Sequence, residues 1–192
     1  MKIKKKIKEE IWSLNIPLQL TKKDKDIQSY FSLCKEKLGL VPNIIKVNAT
    51  NKKRFESFNI FYNRIMQDEN FLTKIEKEMI AVVVSSVNRC LYCCISHCYN
   101  LSKLLNDKVT AKKILVNFKS ASLSKKHMEM LCFVNKLTIS SDSITNTDRN
   151  KLRKLKFSEE HILEIIEVCS FFNMTNRIAS GSGLLPNKEY YF

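Results

Sequence analysis

An all-α fold is predicted by three features of the chain. Apolar residues recur at three- and four-residue spacing almost throughout, strand-like alternation is scarce, and only three glycines and three prolines interrupt 192 residues. That length suits one domain with a single sizeable core. We place the domain at residues 16–192, behind a basic segment at 1–15.

The opening segment around Ile16-Pro17 leads to a helix over Asp26–Leu38, ended by Gly39 and followed by a turn at Pro42-Asn43. Phe55, Phe58, Phe61, Tyr62 and Ile65 form an apolar stripe on a second helix, the pattern of core packing. Thr73 with Glu76 three residues on is a capping-box pattern, which starts a helix over Lys74–Val87. Further helices are predicted over Cys90–Leu105, Thr110–Phe118, Lys125–Leu137, Thr147–Leu155 and Glu159–Ile178, with a polar loop at Ser140–Asn146. Gly181-Ser-Gly183 and Pro186 close the helical region, and neither an internal repeat nor a low-complexity linker is visible.

The net charge of +14 comes from 27 lysines and six arginines spread from end to end. A nucleic-acid surface needs basic residues gathered together with arginines or aromatics among them, so no nucleic-acid partner is expected. Such a surface suits an acidic protein partner. No apolar stretch is long enough to span a bilayer, and the basic start lacks the apolar core and cleavage site of a signal peptide. We therefore expect no membrane association and a cytoplasmic location. There the seven cysteines would be mostly reduced, which favours a catalytic or metal-binding pair over a disulfide framework.

The chemistry concentrates between Glu78 and His97. On a helix beginning near Cys90, residues Cys90, Cys93 and His97 project from one face, a dithiol beside a base. A cysteine in the first turn meets unpaired N–H groups and the positive end of the helix dipole, both of which favour thiolate, so the lower pKa is expected at Cys90. Glu78 lies in a largely apolar stretch; partial burial would let it exchange protons near neutral pH, and the alternative is a solvated glutamate in the cluster Lys74–Glu78. Zinc competes for the cysteines. A single helix, however, cannot turn four of Cys90, Cys93, Cys94, His97 and Cys98 toward one point, and no second ligand pair appears elsewhere. Cys34, Cys132 and Cys169 read as small buried hydrophobes, Cys94 and Cys98 as core packing, and His127 and His161 carry no assigned chemistry.

Glu78, Cys90, Cys93 and His97 at these offsets resemble the motif of the AhpD-like alkylhydroperoxidases within the carboxymuconolactone decarboxylase superfamily. Leu38-Gly-Leu-Val-Pro-Asn43, Glu76 to Asn88, Lys136-Leu-Thr138 and Phe171-Phe-Asn-Met-Thr-Asn-Arg177 are similar to its peroxidase-related subgroup. The resemblance covers roughly residues 16–188 and implies an oligomeric AhpD-like multi-helix bundle. It also implies a cytoplasmic antioxidant enzyme, a thiol-dependent peroxidase that reduces organic hydroperoxides without metal, haem or flavin. By this analogy Cys93 is the peroxidatic cysteine and Cys90 the resolving one, so the family and the bare helix argument favour different thiols as nucleophile. His97 and Glu78 form the proton relay. The implied partners are the hydroperoxide, a dithiol reductant such as a lipoyl domain or a thioredoxin-like protein, and further copies of the chain. One departure is Tyr92, where some members carry a histidine. The other readings are a decarboxylase of the carboxymuconolactone type, whose reaction needs no dithiol, and a non-enzymatic thiol redox sensor or adaptor.

Overall fold

The computed structural model describes residues 11–16, 24–68 and 71–191. Among them stand nine α-helices and no strand: α1 Lys25–Leu38, α2 Asn43–Asn48, α3 Lys52–Met66, α4 Lys74–Val87, α5 Leu91–Leu105, α6 Lys108–Asn117, α7 Lys125–Ile139, α8 Asn146–Lys154 and α9 Glu159–Gly181. The all-α expectation holds. The basic tract at 1–10 and Pro17 lie outside the described residues.

Helix α4 is the axis of the fold. Glu76 through Ser85 are all buried, and the helix packs against α5, α6, α7 and α9. A helix that is apolar nearly all round has no solvent face to offer, so its neighbours enclose it. Its start is the expected capping box: Thr73 accepts from the Glu76 N–H while the Glu76 carboxylate accepts from the Thr73 N–H at 2.9 Å. Glu76 is also flanked by His127 and Lys126 of α7, at 3.4 and 3.7 Å. Burial opposes ionisation there, yet these partners hold its carboxyl down at about 2. Lys77, with no exposed surface, pairs with Glu164 of α9 at 2.8 Å.

A second apolar cluster joins α1, α2 and α3 through Ile27, Phe31, Cys34, Val41, Ile45 and Phe55. A third gathers Ile11, Trp12, Val47, Cys90, Tyr92, Cys93, Ala179 and Leu184. Here the early chain meets the late chain: the Ser13 N–H donates to Ser182 O at 3.0 Å and the Leu185 N–H to Ile11 O at 2.9 Å. Gly183 sits at this crossing with φ +62°, where a Cβ would collide with the Ser13 side chain.

Two expectations are corrected. Pro42-Asn43 is not a plain turn, because Asn43 opens the short helix α2. Pro42 provides no side-chain cap, and the first free N–H groups are satisfied from far along the chain: Asn43 donates to Asn187 Oδ1 at 2.7 Å and Ile44 to the Tyr92 hydroxyl at 3.3 Å. Nor does Pro186 end the helical structure, since a 3₁₀ turn follows at Lys188–Tyr191. The other helices start and stop within a few residues of expectation, α9 continuing past Ile178 to Gly181.

Candidate active site

Cys90 occupies the junction of two helices. After Asn88 caps α4, Arg89 turns left-handed at φ +53°, the Arg89 N–H reaches Ser86 O, and the Cys90 N–H reaches Ser85 O at 3.1 Å. This is a Schellman termination. Cys90 is at the same time the N-cap of α5, its carbonyl accepting from the Cys94 N–H at 2.8 Å. Its backbone is therefore held from both sides. Ser85 is fixed in turn, its hydroxyl donating to Ala81 O at 2.6 Å and standing 3.2 Å from the Asn176 side-chain amide of α9.

One turn into α5, the Cys93 sulfur lies 2.7 Å from that of Cys90. Both residues are buried, at 1% and 3% exposure. The Cys90 thiol is drawn down to about 6, first by the hydrogen bond from Cys93, then against the cost of burial by the Cys93 backbone N–H, the Ser180 hydroxyl and the charge of His97. The Cys93 thiol is pushed up, chiefly by that same shared proton and then by burial. Of the two, Cys90 at the helix start is thus the thiol of lower pKa, the direction expected for it.

His97 stands a further turn along. Its Nδ1 is 2.8 Å from Glu78 Oε2, and the other carboxylate oxygen accepts from Asn100 Nδ2 at 3.2 Å. Glu78 is buried at 5% exposure, so it is no part of a solvated charge cluster. The imidazole edge meets the Phe172 ring, centroids 4.6 Å apart. With Nδ1 committed to the carboxylate, Nε2 is the nitrogen left for a ligand. Thus the four residues singled out from the sequence are brought together by α4, the turn and α5.

These groups differ in what they face. Glu78, Cys93 and His97 line a cavity of about 1000 Å³, whereas Cys90 is not among its lining residues. Tyr62 of α3 and Phe171, Phe172 and Thr175 of α9 build its walls, with Tyr92 and Tyr190. Burial raises the Tyr62, Tyr92 and Tyr190 hydroxyls above their ordinary range, so all three remain protonated. Sequence reasoning missed Asn100, although its place three residues after His97 on one helix face would have flagged it. It also missed the walls from α3 and α9, for which no local signal exists. Cys34 lines the cavity too, while Cys94 and Cys98 are half-buried, Cys94 raised to about 11 by burial and by the charge on Cys90.

A family model described as the carboxymuconolactone decarboxylase family matches residues 54–122, the span that holds all four residues. Among solved structures, an uncharacterized peroxidase-related protein from Silicibacter sp. TM1040 is 39% identical over 95% of each chain, with a TM-score of 0.91. The chain belongs to this family. An uncharacterized peroxidase-related protein from Ralstonia eutropha JMP134, described as an alkylhydroperoxidase AhpD core, is 30% identical over 95% of each chain, with a TM-score of 0.89. The match to these two peroxidase-related members covers 95% of the chain and shows the AhpD-like fold. A variant of the debrominase Bmp8 in complex with 2,3,4-tribromopyrrole is similar in fold, with a TM-score of 0.79 over 93% of this chain and 94% of its own, at 18% identity. No curated protein matches the chain. No helix among the described residues is long and apolar enough to cross a membrane.

Proposed function

We propose that this AhpD-like protein is a thiol peroxidase that reduces organic hydroperoxides and is re-reduced by a dithiol partner. The observation that carries the reading is the asymmetry of the sulfur pair. Cys93 lines a substrate-sized cavity together with the His97–Glu78 pair, while Cys90, whose sulfur is 2.7 Å from that of Cys93, does not line it and has a lowered pKa.

Cys93 is the peroxidatic thiol because it reaches the cavity. It passes its proton to Cys90 or to the His97–Glu78 pair and attacks the terminal oxygen of R–O–OH. The O–O bond breaks, Cys93 becomes a sulfenic acid, and the departing alkoxide takes a proton through His97 Nε2 to leave as R–OH. Cys90, returned to thiolate, attacks the sulfenic sulfur; hydroxide leaves, is protonated to water, and the Cys90–Cys93 disulfide closes. The balance is one hydroperoxide and two thiols to one alcohol, one water and one disulfide. A lipoyl domain or a thioredoxin-like protein restores the dithiol, and a reducing, cytoplasmic setting fits that cycle. No metal, haem or flavin takes part. A decarboxylase function has no use for the dithiol, although the family name carries it.

A steady-state peroxidase assay with cumene hydroperoxide and a set of candidate dithiols tests the reading. Turnover that needs both cysteines is expected. Reversible oxidation of the pair without turnover under any reductant would leave a redox sensor instead.

A further inference from the structure

The cavity is larger and more apolar than the cleavage of an O–O bond requires. At about 1000 Å³ it stands at the upper end of the roughly 300–1,000 Å³ typical of small-molecule sites, whereas a water-sized peroxide occupies on the order of 30 Å³. Its inner walls are aromatic, from Phe58, Tyr62, Phe171 and Phe172. Its mouth is different. Leu38 and Leu104 stand there exposed, each beside a lysine, Lys37 and Lys103, that is itself exposed and lines the cavity; Lys74 lines it as well. Among the described lining residues Glu78 is the sole acid, and it is buried against His97 and Asn100. The lining lysines are thus exposed, whereas Phe171, Phe172 and Cys93 are buried.

We propose that the substrate is an amphipathic carboxylate, a long-chain fatty-acid hydroperoxide, taken up as the free acid. Its chain lies along the aromatic walls, its carboxylate stays at the lysine rim, and its mid-chain O–OH meets Cys93. This rests on the peroxidase reading. The reaction then converts the hydroperoxy acid to the hydroxy acid and water while the dithiol becomes the disulfide, and the anionic end takes no part in the bond changes. Two partly solvated lysines supply modest attraction, and that attraction weakens with salt.

The test compares kcat/KM for linoleic acid hydroperoxide, its methyl ester and cumene hydroperoxide, in the native protein and in the double variant Lys37→Gln/Lys103→Gln. It also measures calorimetric binding of linoleate, which carries no peroxide. We expect the acid to be preferred over the ester by about fivefold at low salt, the double variant to lose that preference, measured as the acid-to-ester ratio and relative to cumene hydroperoxide, and linoleate to bind the reduced protein more weakly in the variant. Equal rates for acid and ester, unchanged by the substitutions, would overturn the inference and leave the peroxidase reading intact. Faster turnover of a phospholipid hydroperoxide in neutral vesicles than of the free acid would likewise overturn it. Lysine-dependent linoleate binding without turnover of any hydroperoxide would overturn the peroxidase reading while sparing the lysine-rimmed, apolar site.

Discussion

The Cys90 and Cys93 sulfurs lie 2.7 Å apart with their pKa values pushed in opposite directions, and their proposed division of labour can be tested one atom at a time. After one equivalent of hydroperoxide, mass spectrometry of Cys90→Ser should find a sulfenic acid on Cys93 that goes no further, while Cys93→Ser should consume no peroxide. A sulfenic acid found on Cys90 would reverse the roles. Ultraviolet absorbance should show a thiolate appearing as pH rises through about 6, and Cys93→Ala, which removes the donor, should move that transition toward the ordinary thiol range. The folded-state value lies below the ordinary 9.0, so this thiolate adds stability that is complete above about 9 and is lost as pH falls through about 6. Glu78→Gln keeps the shape of the carboxylate but not its charge, and His97→Gln removes the base. Each should slow thiol oxidation by roughly 10²–10⁴ in stopped flow with the fold retained. Wild-type rates in Glu78→Gln would leave Cys93 dependent on the helix terminus and His97 alone.

At the scale of elements, what the sequence revealed and what it hid divide by distance along the chain. The α4–α5 pair was legible because its signals are local: Thr73 and Glu76 fix one end, and the spacing of Cys90, Cys93 and His97 reports one helical face. The burial of Glu78 stayed open, since it depends on tertiary packing, in which α5 brings His97 and Asn100 to its carboxylate. Helix α2 was hidden because six residues are too few to show a period, and its N-terminal N–H groups are met by Tyr92 and Asn187. Between α4 and α5 the left-handed Arg89 carries a steric penalty of about 1 kcal/mol that glycine would not. Arg89→Gly should therefore hold or raise the thermal midpoint, and Arg89→Val should lower it, as calorimetry would show.

For the whole molecule, the outer face of α9 leaves Leu163, Met174 and Ile178 exposed, and α3 leaves Ile60 and Phe61 exposed. Apolar area of that kind suits contact with a second copy, and we expect light scattering at micromolar concentration to give a mass of at least two chains. The polar counterpart is the clasp between Asn43 and Asn187, which ties the C-terminal turn over the cavity: Asn187 accepts from the Asn43 N–H and donates to Val41 O at 3.1 Å, and Asn43 Nδ2 donates to Leu185 O at 2.9 Å. Asn187→Ala should strip partners from buried amides and cost about 1–3 kcal/mol in denaturant unfolding.

The packing of the two chain ends has an optical consequence. Trp12 is the sole tryptophan of the sequence, and it is buried in the same apolar cluster as Cys90 and Cys93. On the proposed cycle, closing the Cys90–Cys93 disulfide should change the quenching of this neighbouring indole. Tryptophan emission recorded as hydroperoxide and then a dithiol are added should follow that closing and reopening without an attached dye, and an unchanged spectrum would count against it.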